Sequence, residues 1–171
     1  MTHAPSTLPR LRLVHRETGL DSSPMRIAIA CDHAAVAHKQ AVIARLTALG
    51  HQVDDFGTNS ADSCDYSDHG YPAARSVADG TNERGILICG TGIGMSIAAN
   101  KVPGIRCALV HNLFTAEVTA AHNKPQVLAF GARIVDAELG AAMVETWLKT
   151  PFEARHQRRI DKIHAGEISA C

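Results

Sequence analysis

A cysteine followed by three closely spaced glycines lies near the middle of the chain. Cys89 precedes Gly90, Gly92 and Gly94 in the run Cys-Gly-Thr-Gly-Ile-Gly. Such glycines let the backbone approach a ligand, because they lack a Cβ atom and tolerate positive φ values. The N–H groups that open a following helix have no partners of their own, so this turn can bind an anion. A thiol facing a helix start is expected to have a lowered pKa. The residue types therefore suggest a phosphate or enolate site with a thiolate beside it.

A strand and a helix are predicted on either side of this motif. Residues 85–89 form a short apolar run typical of a strand that is buried on both faces. Residues 95–100 are apolar and rich in alanine, which predicts a helix. Ligands of open α/β sheets bind at the carboxyl ends of the strands, where Cys89 is expected. Most apolar cysteines are packing residues and most glycine-rich turns are only turns, so the motif alone does not establish catalysis.

Two nucleotide-binding motifs that also use glycine loops do not fit. The dinucleotide fingerprint requires a glycine where the chain has Met95, and an acidic residue at the end of the next strand. That strand ends in Leu109, Val110 and His111. The phosphate-binding loop of nucleoside triphosphatases requires Gly-Lys-Ser/Thr, which is also missing.

The composition predicts one soluble globular domain. The 171 residues carry 17 acidic and 17 basic side chains and are 46% hydrophobic. A net charge of zero argues against a nucleic-acid partner. No apolar run approaches the ~20 residues of a membrane helix, so no membrane partner is expected.

The cysteines indicate a reducing compartment and no metal site. Five cysteines without a Cys-x-x-Cys pair fit the cytoplasm better than a disulfide framework. Consecutive residues of a strand point in opposite directions, so the run Cys31-Asp32-His33 does not form a metal site by itself. Cys64, Cys107 and Cys171 are interpreted as packing or exposed thiols.

The remaining chain alternates short apolar strands with helices. The predicted strands are residues 25–31, 51–56, 85–89, 105–110 and 127–130. The predicted helices are residues 34–49, 72–79, 95–100, 113–121, 136–148 and 154–163, and Asp136 is the predicted N-cap of the fifth. A polar loop over residues 57–70 carries Tyr66. This alternation predicts βαβ units, a parallel sheet and helices on both faces.

Residues 1–24 differ from this pattern. They have scattered Ser and Thr and no sustained hydrophobic period. Three arginines hint at a transit peptide, but Glu17 and Asp21 count against one. We expect either a disordered extension or an upstream start codon with Met25 as the true start, and one domain over residues 25–171.

Two polar pairs stand where predicted elements end. Asp32-His33 ends the first strand and would lie beside the glycine loop if the first and third strands are neighbours. The alternative is a helix N-cap by Asp32 and a surface histidine. His122-Asn123 ends the fourth helix, where both residue types also occur for purely structural reasons.

Arg155 and Arg159 are four residues apart and are predicted to share one face of the last helix. Like charges at this spacing repel each other. A phosphate dianion would explain them, because Arg can bind it bidentately. A solvated basic surface is the alternative, which Arg158 and Lys162 favour.

Taken together, these segments resemble ribose-5-phosphate isomerase type B, a family that includes galactose-6-phosphate isomerase subunits and allose-6-phosphate isomerase. The resemblance covers about residues 25–163. It is carried by Cys31-Asp-His33, the run from Cys89 to Lys101, His122-Asn123, the run from Val127 to Arg133, and Arg155-His-x-x-Arg159. It implies a flavodoxin-like or Rossmann-like fold, a three-layer αβα sandwich around a five-stranded parallel sheet. It also implies a homodimer or dimer of dimers with a shared active site.

The resemblance further implies an aldose–ketose isomerase of the pentose phosphate pathway that acts on a small phosphorylated sugar. Cys89 matches the catalytic base, and His122 matches the residue that opens the furanose ring. The positions that match substrate-binding residues are Asp32, His33, Tyr66, Gly90, Gly92, Ile93, Gly94, Asn123, Arg133, Arg155 and Arg159. Isomerisation through a cis-enediolate needs one base and donors to the developing oxyanion, which the loop N–H groups and the Thr91 hydroxyl supply. The reaction requires no metal and no redox cofactor.

Some features depart from the family or leave alternatives open. The family's Tyr-Pro is Tyr66-Ser67 here. Members that use a glutamate as base place it near the loop, where Met95 to Ile97 offer no carboxylate. Allose 6-phosphate, galactose 6-phosphate or a tetrose phosphate remains an alternative substrate. A sugar-phosphate sensor without turnover is disfavoured, because it would be expected to lack Cys89 or His122.

Overall fold

A parallel sheet forms the centre of the computed structural model, which describes residues 23–168. The five strands are β1 (Arg26–Cys31), β2 (Gln52–Asp55), β3 (Arg84–Cys89), β4 (Cys107–Leu109) and β5 (Val127–Gly131). They are ordered β2-β1-β3-β5-β4, and every neighbouring pair is parallel. The helices are α1 (Val36–Ala48), α2 (Tyr66–Ala78), α3 (Ile93–Ala99), α4 (Leu113–Asn123), α5 (Ala137–Lys149) and α6 (Gln157–Ile168).

Alternate residues of the strands supply two hydrophobic layers. Ile27 and Ile29 of β1 face the layer covered by α1, α4 and α5. Ala28 and Ala30 face the other layer, covered by α2 and α3, where the small side chains admit helices close to the sheet. Helices therefore cover both faces, which confirms the predicted three-layer αβα sandwich with a five-stranded parallel sheet.

The predicted start of the second helix was wrong. Residues 57–70 were expected to be a loop, with the helix opening at Pro72, but α2 begins at Tyr66 and contains Pro72. Asp68 in the first turn suits the positive end of the helix. Gly70 admits α3, because a Cβ atom at Gly70 would lie 2.7 Å from the sulfur of Met95. Tyr66 therefore sits on a helix.

Several further boundaries differ from the prediction: α3 begins at Ile93 rather than at residue 95, β4 is shorter, and α6 continues to Ile168. A one-turn 3-10 helix, His33–Ala35, precedes α1, and a second, Ala154–His156, precedes α6. Arg155 lies in this second turn and Arg159 in α6, so the two arginines do not share one uninterrupted α-helix as predicted. The N-cap predicted at Asp136 is confirmed, because its carboxylate accepts a hydrogen bond from the N–H of Leu139 at 2.7 Å.

A buried lysine anchors the segment between β2 and α2. Lys39 of α1 is fully buried, and its ammonium group donates to Asp55 Oδ2 at 2.7 Å. It also donates to the Thr58 carbonyl and to Asn59 Oδ1, both at 2.9 Å. Three acceptors satisfy the three donors of the ammonium group, as a buried charge requires.

The predicted extension, residues 1–24, lies outside the described residues except for residues 23 and 24. Within residues 23–168, none of the helices combines the length and the apolar character that crossing a membrane requires.

Candidate active site

The thiol of Cys89 lies where β3 ends and the glycine loop begins. Its side chain is buried, with 4% of the residue exposed. The N–H of Gly92 donates a hydrogen bond to Cys89 Sγ over 3.1 Å. Gly92 has a φ of 77°, in the left-handed region that favours glycine. This hydrogen bond fixes the sulfur at the start of the glycine loop.

The glycine loop lies directly against the end of β5. A Cβ atom at Gly92 would lie 2.6 Å from the Phe130 carbonyl carbon. A Cβ atom at Gly131 would lie 2.5 Å from the carbonyl carbon of Thr91. Both contacts are too short for any other residue type, so the loop and the neighbouring strand fit only because both carry glycine. Gly131 lies in the run from Val127 to Arg133 that carries the family resemblance, but the sequence analysis assigned it no site role, although a glycine ending a strand in Phe-Gly-Ala-Arg was a visible signal.

Two side chains form walls beside the loop. The ring of Tyr66 lies over Gly94, where a Cβ atom would come within 2.5 Å of Tyr66 Cζ. The guanidinium group of Arg133 lies over Gly90, 3.3 Å from the position of a Cβ atom. The backbone N–H of Arg133 donates a hydrogen bond to the Gly90 carbonyl at 2.9 Å, which holds this arginine next to the loop.

Asp32 and His33 lie at the same edge of the sheet, one strand away. Asp32 donates its N–H to the Ile88 carbonyl at 3.2 Å, because β1 and β3 are neighbours, which was the condition for placing Asp32 beside the loop. The Asp32 carboxylate caps the 3-10 turn by accepting from the N–H of Ala34 at 3.0 Å. His33 Nδ1 accepts from the N–H of Cys64 at 3.2 Å, which leaves Nε2 as the nitrogen available to a ligand.

The carboxyl edge of the sheet thus brings together ten of the predicted site residues. They are Asp32, His33, Tyr66, Cys89, Gly90, Thr91, Gly92, Ile93, Gly94 and Arg133. Ile93 is the first residue of α3, and its N–H donates to Thr91 Oγ1 at 3.3 Å.

The other four predicted site residues lie at the opposite edge. β3 and β5 are parallel, so both begin at the amino edge, where Gly85 pairs with Val127. Both end at the carboxyl edge, where Cys89 pairs with Gly131. His122 and Asn123 end α4, just before β5 begins. The N–H of Glu153 donates to the Ala121 carbonyl at 2.9 Å, which brings the segment with Arg155 to the same edge. The length of β5, about 13 Å at the usual rise per residue, separates the two edges.

A carboxylate and a second histidine join the amino-edge group. Glu153 Oε2 accepts from Arg155 Nε at 2.7 Å. The rings of His122 and His156 face each other with centroids 4.2 Å apart. Burial lowers the pKa of His156, and the nearby positive charges of Arg155, His122 and Arg159 lower it further. Sequence reasoning assigned no role to Glu153 or His156, although His156 stands within the Arg155-His-x-x-Arg159 motif.

Two other cysteines differ from Cys89 in their surroundings. Burial raises the pKa of the Cys31 thiol to about 11, although Lys39 opposes the shift. Burial also raises the pKa of Cys107 to about 12. Both thiols stay protonated near neutral pH, so they are poor nucleophiles and poor bases.

The fold and these groups define an α/β protein of the doubly wound type whose candidate ligand-binding groups include a cluster at the carboxyl edge of the sheet. Comparison with known proteins names its family. The family described as Ribose/Galactose Isomerase matches residues 27–163. This match covers most of the chain, so the protein belongs to that family and is a sugar-phosphate isomerase.

Individual relatives agree over most of their length. The chain is 43% identical to ribose-5-phosphate isomerase B of Escherichia coli over 143 residues, which are 83% of this chain and 96% of the relative. It is 40% identical to D-erythrulose-4-phosphate isomerase of Pectobacterium atrosepticum over 130 residues, 75% of this chain and 86% of the relative. The solved structure of Clostridium thermocellum ribose-5-phosphate isomerase B superposes with a TM-score of 0.83 at 43% identity, covering 86% of this chain and 100% of that one.

The contact between Gly94 and Tyr66 leads to a first prediction. Gly94→Ala should push the Tyr66 ring out of place, because the new methyl group would lie 2.5 Å from it. We expect kcat/KM to fall on the order of 100-fold, as a misplaced contact in an active site can cause. Since Tyr66 is 42% exposed and can move outward, Tm should change little. Gly166→Ala in α6 is the matched control, since its methyl group would meet no atom within 4 Å. Unchanged kcat/KM in Gly94→Ala would exclude Tyr66 as a wall of the site.

Proposed function

We propose that this protein interconverts ribose 5-phosphate and ribulose 5-phosphate through a cis-enediolate, with Cys89 as the base. The observation that carries this proposal is the hydrogen bond from the Gly92 N–H to Cys89 Sγ at 3.1 Å, beside the glycine loop. Family membership supplies the reaction class, and the loop supplies a positioned thiol with backbone donors around it.

The proposed chemistry moves one carbon-bound proton from C2 to C1 and one hydroxyl proton from O2 to O1, and it stabilises the oxygen that becomes negative between these transfers. The Cys89 thiolate takes the proton from C2 of the open-chain aldose and returns it to C1. Backbone N–H groups of the loop and the exposed Thr91 hydroxyl donate to the oxygen that becomes negative, while the Gly92 N–H remains on Cys89 Sγ. Oxyanion donors of this kind are each worth about 100- to 1,000-fold in rate. Asp32, His33 and Arg133 hold the sugar along the same edge of the sheet.

Ring opening and phosphate binding are assigned to the amino-edge residues. His122 exchanges a proton with the ring oxygen, and Asn123 contacts the sugar. Arg155 and Arg159 bind the phosphate, which suits two guanidinium groups exposed on neighbouring turns. None of these four residues can reach the Cys89 of its own chain, since they lie at the other edge of the sheet.

We therefore propose a homodimer in which each active site combines the carboxyl edge of one chain with the amino edge of the other. Exposed apolar side chains support such an interface. Ile93 and Ile97, one turn apart on α3, are 51% and 57% exposed, and Phe114 at the start of α4 is 70% exposed. Large apolar side chains exposed close to a ligand site commonly mark a subunit contact. The free thiols of Cys31, Cys64, Cys89 and Cys107 suit the cytoplasm, where we place this enzyme.

Another phosphorylated aldose is the second candidate substrate. The family description includes galactose as well as ribose, and one relative is named as an isomerase of a four-carbon sugar phosphate. The kcat/KM values for ribose 5-phosphate, allose 6-phosphate, galactose 6-phosphate and erythrose 4-phosphate separate these possibilities. We expect ribose 5-phosphate to have the highest value, and a higher value for any other sugar would replace it as the substrate.

Substitution of the proposed base gives the main test. Cys89→Ala should reduce kcat by about 100- to 10,000-fold, the usual contribution of a positioned base. Folding and phosphate binding should persist, because the change removes one sulfur atom and leaves the loop donors, Arg155 and Arg159 in place. Cys31→Ala is the matched control, since Cys31 ends the neighbouring strand and burial raises its pKa to about 11. Circular dichroism, phosphate titration and kcat for both variants make the comparison. If Cys89→Ala keeps more than about a tenth of the wild-type kcat, a loss of only ~1.4 kcal/mol, Cys89 is not the base.

Complementation between two inactive variants tests the shared site. A mixed dimer of Cys89→Ala and His122→Asn chains, isolated with two affinity tags, contains one site with both defects and one intact site. We expect it to have about half the wild-type activity per dimer, because symmetric dimers carry two equivalent sites. The control is a mixed dimer of His122→Asn and Arg155→Ala, in which each site keeps one defect. Equal inactivity of the two mixed dimers would show that each site belongs to a single chain.

A further inference from the structure

At the amino edge, three side chains bring atoms that could bind a metal ion close to one another. One ligand atom from each of His122, Glu153 and His156 lies within 4.8 Å of the other two. His122 Nε2 is 3.9 Å from Glu153 Oε2, and His156 Nε2 is 3.5 Å from the same oxygen. We call these three residues the His-Glu-His cluster.

The buried imidazole ring of His156 lacks hydrogen-bond partners among the described residues. Only 2% of its surface is exposed, yet neither Nδ1 nor Nε2 has a hydrogen-bond partner among the described residues. Buried side-chain polar atoms are nearly always hydrogen-bonded, so an unpartnered buried imidazole calls for an explanation. A bound ion that accepts the Nε2 lone pair provides one.

The spacing of the cluster fits a tetrahedral ion. Zinc lies about 2.0–2.2 Å from nitrogen and carboxylate oxygen ligands, which puts two ligands of one ion ~3.4 Å apart. The two separations from Glu153 Oε2 come within about half an ångström of this value. Two imidazoles and one carboxylate leave a fourth position open. Calcium and magnesium prefer oxygen ligands, so the cluster selects a transition metal.

The backbone already holds the cluster together. Glu153 is tied to the end of α4 through its N–H bond to Ala121, and the His156 N–H donates to the Glu153 carbonyl at 3.0 Å. The three side chains therefore approach one another without help from an ion, which lowers the cost of ordering them when an ion binds. Arg155 donates to Glu153 Oε2 at 2.6 Å and 2.7 Å, and the metal would take its place on this oxygen.

We propose that His122, Glu153 and His156 form an inhibitory site for a divalent transition metal of the zinc class. A metal on His122 Nε2 takes the lone pair with which this ring exchanges a proton during ring opening. The same ion detaches Arg155 from Glu153 and places a positive charge beside the arginine assigned to phosphate. The inhibitory effect rests on the proposed function of His122, whereas metal binding by the cluster does not.

Metal binding is tested directly with Co²⁺ and Zn²⁺ on the metal-free full chain. Calorimetry with Zn²⁺ gives stoichiometry and affinity, and the absorption spectrum of bound Co²⁺ distinguishes nitrogen and oxygen ligands from thiolates. His156→Asn and Glu153→Gln each remove one ligand and should weaken binding by about 100-fold or more, the upper range seen even for outer-shell changes. The control is His51→Asn, because asparagine can keep the acceptor that His51 Nδ1 offers to the Met25 N–H.

The expected result is one tight site per chain, with no thiolate band, that is lost in both cluster variants and kept in His51→Asn. Equal Zn²⁺ affinity in wild type and both cluster variants overturns the site, and so does a thiolate spectrum. Activity is then measured for each protein as the ratio with and without Zn²⁺. Inhibition of wild type but not of His156→Asn supports the inhibitory role.

The two readouts separate failure of the site from failure of the function. Zn²⁺ binding that depends on His156 but leaves isomerisation unchanged overturns the inhibitory role and the assignment of His122, while the metal site stands. If the metal-free enzyme does not isomerise ribose 5-phosphate at all, the proposed substrate fails, and the binding experiment still decides whether the cluster holds a metal.

Discussion

The close contact between the glycine loop and the end of β5 is the constraint on which the carboxyl edge depends. Thr91 lies directly over Gly131, and Gly92 turns with a positive φ against Phe130. A side chain at either glycine would push the loop off the strand. The Gly92 N–H would then lose its position 3.1 Å from Cys89 Sγ. Arg133 lies two residues after the end of β5, and its backbone N–H is hydrogen-bonded to the Gly90 carbonyl. The same contact therefore also places this arginine beside the loop.

The order of the strands explains why polar residues gather at two separate edges. Each parallel strand is followed by a helix that returns to the amino edge, so strand ends and helix ends collect at opposite sides of the sheet. Cys89 ends β3 and Asp32 follows the neighbouring strand β1, so both lie at one side, whereas His122 lies near the end of α4 at the other. A protein with this topology can use both groups on one substrate only by pairing with a second copy, as proposed above. The same topology places the end of α4 at the amino edge, where the segment with Glu153 and His156 packs beside His122.

Much of the fold could be predicted from the sequence, because hydrophobic runs and helix caps are local signals. The buried run that forms β3 and the N-cap at Asp136 needed no tertiary information. The start of α2 could not be predicted in this way. Pro72 suggested a helix start, but packing of Gly70 against Met95 and anchoring of the preceding segment by Lys39 favour a longer helix. The cluster of Glu153 with the two histidines could not be predicted either. It depends on a backbone hydrogen bond between Glu153 and Ala121, which are 32 positions apart.

The separation of the two groups of site residues by the length of a strand has a consequence under dilution. If each site is built from two chains, a dissociated monomer holds a thiol without a ring opener and a ring opener without a thiol. Specific activity then obeys mass action, falling as the total protein concentration drops towards the dissociation constant of the dimer. Substrate bound across the two chains shifts that equilibrium towards the dimer, so substrate should protect a dilute solution of this enzyme against loss of activity.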